Sequence, residues 1–149
     1  MTVSKLLLVL SLLGASSASW ACSYDGQFNN PFAESYPGSL SIALATQRAI
    51  SQQQITQTNK LEGQPGLRRA SWWLQLFVKR STQLPNDIHI YLVDSQLWSK
   101  YHAGKPLKIH SKPPSSDDAV LMLSESALDN LVSKKITFTQ AINMGLIKL

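Results

Sequence analysis

The sequence predicts an α+β domain, a twisted antiparallel sheet of about five strands with helices packed on one face. Three observations predict it. Apolar residues recur three and four apart through much of 39–81, the spacing of a helix face. The period drops to two at 87–93, the spacing of a strand. Residues 119–149 then read strand, helix, helix, strand, with a Thr137-x-x-Gln140 capping box between the helices.

The elements follow in chain order. Residues 1–21 read as an export signal. Lys5 gives the positive start, and residues 6–13 are apolar apart from Ser11. Ser19 and Ala21 are small at the two positions a signal peptidase reads. An apolar run of about ten residues is too short to span a bilayer. The mature chain is therefore expected to begin at Cys22 and to work outside the cytoplasm, in a bacterial periplasm, with no transmembrane span. Residues 22–38 read as an irregular arm, with turn signals at Asp25-Gly26, Asn30-Pro31 and Pro37-Gly38. Phe28, Phe32 and Tyr36 recur along it and are expected to pin it to the domain.

The domain proper is expected over 39–149. A first helix fits 39–54, with Leu40, Ala43, Leu44 and Ile50 on one stripe and Ser39 or Ser41 as cap. Gly63, Pro65 and Gly66 read as a break. A second helix fits 67–81, where Leu67, Ala70, Trp73, Leu74, Phe77 and Val78 make a wide apolar face. In the strand that follows, Ile88, Ile90 and Leu92 face one side, and His89, Tyr91 and Val93 the other. Short strands are expected at 97–101, 107–110 and 119–123, joined as an antiparallel meander because the connections look too short for a crossover. Ser124 or Ser126 starts a third helix, Ser126 with Asp129 resembling a capping box. Thr137 caps a fourth, Gly145 takes the left-handed stop, and 146–149 closes the sheet.

Charge and cysteine usage narrow the function classes. The chain carries 14 Lys and Arg against 9 Asp and Glu, or 13 against 9 once Lys5 is removed with the leader. The basic residues are scattered rather than striped with aromatics, which disfavours nucleic acid. Cys22 is the only cysteine, so no internal disulfide exists. It reads as a small buried residue, as a lipid attachment site that would tether the protein to a membrane, or as a reactive, metal-binding or cross-linking thiol. The position three before it is Ser19 rather than the leucine that lipid attachment favours.

The segments 119–131 (AVLMLSESALDNL) and 136–149 (ITFTQAINMGLIKL) resemble the distal half of the sterol carrier protein lipid-binding domain family. Gln140-Ala141, Gly145 and Lys148 stand at the corresponding places. The likeness is close over about 30 residues and extends over about another 60 only in the order of elements. It implies an α+β fold with an apolar tunnel for a sterol, acyl chain or other long lipid, no cofactor and no chemistry of its own. The chain differs from the family in its export signal and in ending at Leu149 without the helix that often closes the tunnel.

Independently of that likeness, Trp72, Trp73, Phe77, Trp98, Phe138, Ile142 and Met144 form a bulky apolar set on elements expected to face one another. They are the candidate ligand liners, and equally an ordinary core. Nucleophile-elbow, phosphate-loop and paired-histidine zinc patterns are absent, so no catalytic residue is assigned. His89 and His110 are expected as neighbours across the meander, where Cys22 or Asp94 would complete a copper or zinc set. The commoner reading is exposed sheet histidines, and no metal is assigned. The expected function is non-enzymatic binding of a lipid or other hydrophobic small molecule. The alternative is a protein-interaction module with a filled core, docking its partner through residues 24–36.

Overall fold

Strict alternation in Asp87–Leu92 builds the structure around one strand. Ile88, Ile90 and Leu92 are fully buried on one face of it, and Tyr91 and His89 are buried on the other. The computed structural model describes residues 22–26, 32 and 34–149. The leader expected at 1–21, with Phe28 and Pro31 of the arm, lies outside the described residues. A 3-10 turn (Ser23–Asp25) precedes α1 (Ser39–Ser51), α2 (Gly63–Arg80), β1 (Asp87–Leu92), β2 (Leu97–His102), β3 (Lys108–Ile109), β4 (Val120–Leu123), α3 (Glu125–Val132), α4 (Phe138–Asn143) and β5 (Ile147–Lys148). The fold is α+β with a five-stranded, mostly antiparallel sheet.

The strand order is β3-β2-β1-β4-β5, and β4 lies parallel to β1, with Ile90 opposite Leu121 and Leu92 opposite Leu123. This corrects the expected meander. Residues 110–119 carry the chain from one edge past β2 and β1. They cross the face that bears Trp98 and His89: Ser111 N–H donates to Trp98 O at 3.0 Å, and Asp118 Oδ2 lies 3.7 Å from His89 Nδ1. Three strand spacings are about 14 Å, whereas ten extended residues reach roughly 33 Å, so this connection is long enough. Burial decides the pairing. A strand apolar on both faces, as in Val120–Leu123, belongs beside the central strand rather than at an edge.

Both faces of the sheet are covered. On one, α2, α3 and α4 pack Ala70, Leu74, Phe77, Ala127, Leu128 and Ala141 onto the sheet's Ile and Leu side chains. On the other, Ile42 of α1 joins Tyr91, Val93, Trp98 and Met122, with Tyr36 of the arm over them. The helices on the first face were expected, and the second cluster is an addition. α1, expected on the same face as the other helices, instead contributes Ile42 to the second cluster and Ala49 to the first.

Several local expectations shift. Gly63, Pro65 and Gly66 lie inside α2, with Pro65 in the first turn, where its missing N–H costs nothing. Gly38, not a serine, caps α1, in a left-handed conformation (φ 92°). Ser124 caps α3, its Oγ accepting from Ala127 N–H at 3.1 Å. Ser126 and Asp129 form no box. They latch the 52–62 loop, accepting from Thr58 N–H (3.1 Å) and Thr58 Oγ1 (2.6 Å). The Thr137–Gln140 box forms in both directions, at 2.8 and 3.1 Å, and Gly145 is left-handed (φ 70°), as the sequence requires.

Candidate functional site

Parallel pairing of β1 and β4 brings two acids together. Asp94 follows β1 and Glu125 follows β4, so both stand at the same end of adjacent strands. Both Asp94 carboxyl oxygens accept from the Glu125 N–H, at 3.0 Å each. This places a carboxylate at the N-terminus of α3, where the helix favours negative charge. The Glu125 side chain is buried beneath Tyr24, whose hydroxyl donates to Oε1, and Arg69 Nη2 lies 3.4 Å from Oε2. Arg69 in turn lies over the Trp73 ring, 4.7 Å from its centre. Tyr24 reaches this position because Gly66 has no side chain, and a Cβ there would collide with the Tyr24 ring and the Leu61 carbonyl.

Burial controls the acids' chemistry. It pushes the Glu125 carboxyl up to about 7 and the Asp94 carboxyl up to about 6. The backbone N–H and the guanidinium work against the rise at Asp94. Around them opens a cleft of about 200 Å³ with a mixed lining. Tyr24, Ala43, Ile50, Leu61 and Val93 are apolar, and Thr46, Ser124 and Ser126 are polar. Thr46 Oγ1 donates to Ser124 Oγ at 2.9 Å, and the same oxygen caps α3. Among the described residues, no histidine or cysteine lines this cleft.

The seven candidate liners do not meet in one cavity. Phe77 is buried and stacks on Phe138, ring centres 6.2 Å apart, at the border of a surface groove of about 380 Å³. Trp73 and Met144 are partly buried against the same core. Trp98 lies on the opposite face of the sheet, stacked on Tyr91 at 4.3 Å. Trp72 and Ile142 face solvent, 58% and 43% exposed. The helical and strand periods placed these residues on the right elements, but the two-sided core separates them.

The histidines also part company. His89 sits edge-on to Trp98, its pKa lowered chiefly by burial. His110 comes instead to Cys22, whose Sγ is 4.0 Å from each ring nitrogen and 3.6 Å from Asp25 Oδ2. Asp94 belongs to the other site. The Cys22 thiol is buried, and burial first and Asp25 second push it up to about 11.

Comparison with protein-family models, with curated proteins and with solved structures found no match.

Reading the sequence alone missed Tyr24, Arg69 and Glu125 as site residues and offered Asp94 for a copper or zinc set with the histidines rather than as the neighbour of Glu125. The available signal was an acid two residues after the end of each strand, Asp94 after β1 and Glu125 after β4. Only the parallel pairing makes those positions adjacent.

Proposed function

We propose that this is an exported, non-enzymatic binding domain whose ligand is a small amphipathic molecule seated over Glu125 and Asp94. The observation that carries the reading is the cleft itself, with two buried carboxyl groups at its floor and one guanidinium beside them. With the Arg69 guanidinium beside the acids and the exposed Lys60 at the cleft's edge, the buried carboxyls are the groups that a small ligand bearing a protonated amine beside an apolar body would pair with. A volume of about 200 Å³ is below the roughly 300–1,000 Å³ of drug-sized pockets, so the ligand is small rather than a whole sterol. The engagement of the Ser124 hydroxyl as a helix cap supports binding over nucleophilic chemistry at that group.

The likeness to sterol carrier lipid-binding domains supports an apolar ligand. β4, α3, α4, Gly145 and β5 follow in the order that likeness implies. The alternative of an aromatic arm docking a partner protein has less support. Tyr24 and Tyr36 are engaged by the domain's own Glu125 and by its Tyr91 and Trp98.

The test compares n-hexylamine with hexanol and hexanoate by thermal shift and by amide chemical shifts around Glu125. Hexylamine is expected to bind in preference, and Glu125→Gln to weaken it about tenfold. Equal response to all three probes, or none, sinks the reading.

A further inference from the structure

A second cleft, of about 300 Å³, lies on the Trp98 side of the sheet, bordered by Cys22, Tyr36, Tyr91, Trp98, His110 and Ser111. We propose that Cys22, Asp25 and His110 form a zinc site at its edge. One ligand atom from each side chain lies within 4.8 Å of the others, and together they offer a sulfur, an imidazole nitrogen and a carboxylate oxygen. Tetrahedral zinc with bonds of about 2.0–2.3 Å holds its ligand atoms roughly 3.5 Å apart. Closing the set onto an ion therefore asks for movement of about one ångström at most from any one group. His110 and Asp25 are exposed side chains with room to make it.

The donor mixture chooses the ion. Calcium and magnesium want all-oxygen shells, and copper(I) prefers sulfur and nitrogen without carboxylate. One thiolate, one imidazole and one carboxylate suit zinc, with a fourth position open to the cleft.

A separate observation points to the same place. Ser111, next to His110, is 7% exposed, and its buried hydroxyl has no hydrogen-bond partner among the described residues. A buried hydroxyl is rarely left unpaired, and this one borders the cleft that an ion or its bound water would occupy. The backbone holds the arrangement. His110 is in the left-handed region (φ 57°), and Ser111 N–H is tied to Trp98 O at 3.0 Å.

The experiment uses the full chain, secreted by an expressing host, reduced and stripped of metal. The intact mass is measured first, and a diacylglyceryl group on Cys22 Sγ overturns the site. Zinc is then titrated against a chromophoric chelator, and cobalt(II) replaces zinc for absorption spectroscopy. One zinc per chain is expected, and a thiolate-to-cobalt charge-transfer band in the near ultraviolet. Cys22→Ser should abolish the band. His110→Ala and Asp25→Asn should each weaken zinc at least about tenfold. His102→Ala, on a histidine outside the set, should change nothing. No band, unchanged affinity in Cys22→Ser, or equal loss in His102→Ala overturns the proposal. If Cys22→Ser does not fold, the band of the unmutated protein decides, because it reports sulfur coordination directly.

Discussion

Gly66 is the residue whose identity the fold depends on most narrowly. It sits in the first turn of α2 with the Tyr24 ring and the Leu61 carbonyl against its Cα. Gly66→Ala is expected to displace Tyr24 and lower stability by about 1–3 kcal/mol, although alanine is the better helix former. Urea midpoints would show it, and a stabilised Gly66→Ala would mean that the tyrosine is not seated there. Lys134 is the opposite case. It takes the left-handed position after α3 (φ 58°), where Lys135 N–H returns to Asn130 O at 2.9 Å. Glycine relieves that conformation, so Lys134→Gly should raise stability by about 0.5–1 kcal/mol and the melting temperature by a few degrees. No rise would show that the cap is satisfied without the left-handed turn.

At the scale of elements, α3 is set by its neighbours as much as by its own residues. Its N-terminus is closed by Ser124 Oγ and by the Asp94 carboxyl from the turn after β1. Ser124→Ala should cost about 1 kcal/mol as a lost cap, and more if Thr46 is left unpaired. Hydrogen exchange confined to residues 124–128 would report it, and unchanged protection there would remove the cap from the account. α2 owes its place to burial. Gly66, Ala70, Leu74 and Phe77 form its inner stripe, and Leu74 is fully buried. Leu74→Ala is expected to cost about 2–5 kcal/mol, and Trp72→Ala, on the solvent side, under about 1. A reversal of that order in denaturant titrations would contradict the seating of the helix.

For the whole molecule, the two buried acids tie stability to pH. Glu125 is raised from 4.5 to about 7, so the folded chain holds a proton that the unfolded chain has released. Its contribution is therefore present below about pH 4.5 and is lost as pH rises through about 7, on the order of 3 kcal/mol. Asp94 acts in the same sense between 3.8 and about 6. His89 acts in the opposite sense, because its pKa is lowered and its neutral form favours folding as pH rises. The difference between wild type and Glu125→Gln isolates the acid. Relative to Glu125→Gln, the wild type should lose stability steadily from pH 5 to 8. A flat difference would show that Glu125 is ionised at no cost, with Arg69 paying for its burial.

The inner face of α2, the strand faces, the Thr137–Gln140 box and the Gly145 stop were legible along the chain, because each depends on side chains within about four residues of one another; the stripe expected on α1 was not, since Ile42, Ala43, Thr46 and Ala49 are buried there and Leu44 is 51% exposed. The period at 87–93 separated Ile88, Ile90 and Leu92 from His89, Tyr91 and Val93 for the same reason. Which strands pair was not legible. Local spacing says nothing about whether Val120–Leu123 lies beside β3 or beside β1, and its two-sided burial settled that in favour of β1. The candidate site fell with that ambiguity. Asp94 and Glu125 are 31 positions apart, and Cys22 and His110 are 88 apart. Their meeting depends on long-range packing that no periodic pattern encodes. Trp98 and Phe77 were separated in the same way, by a sheet whose second face also needed covering.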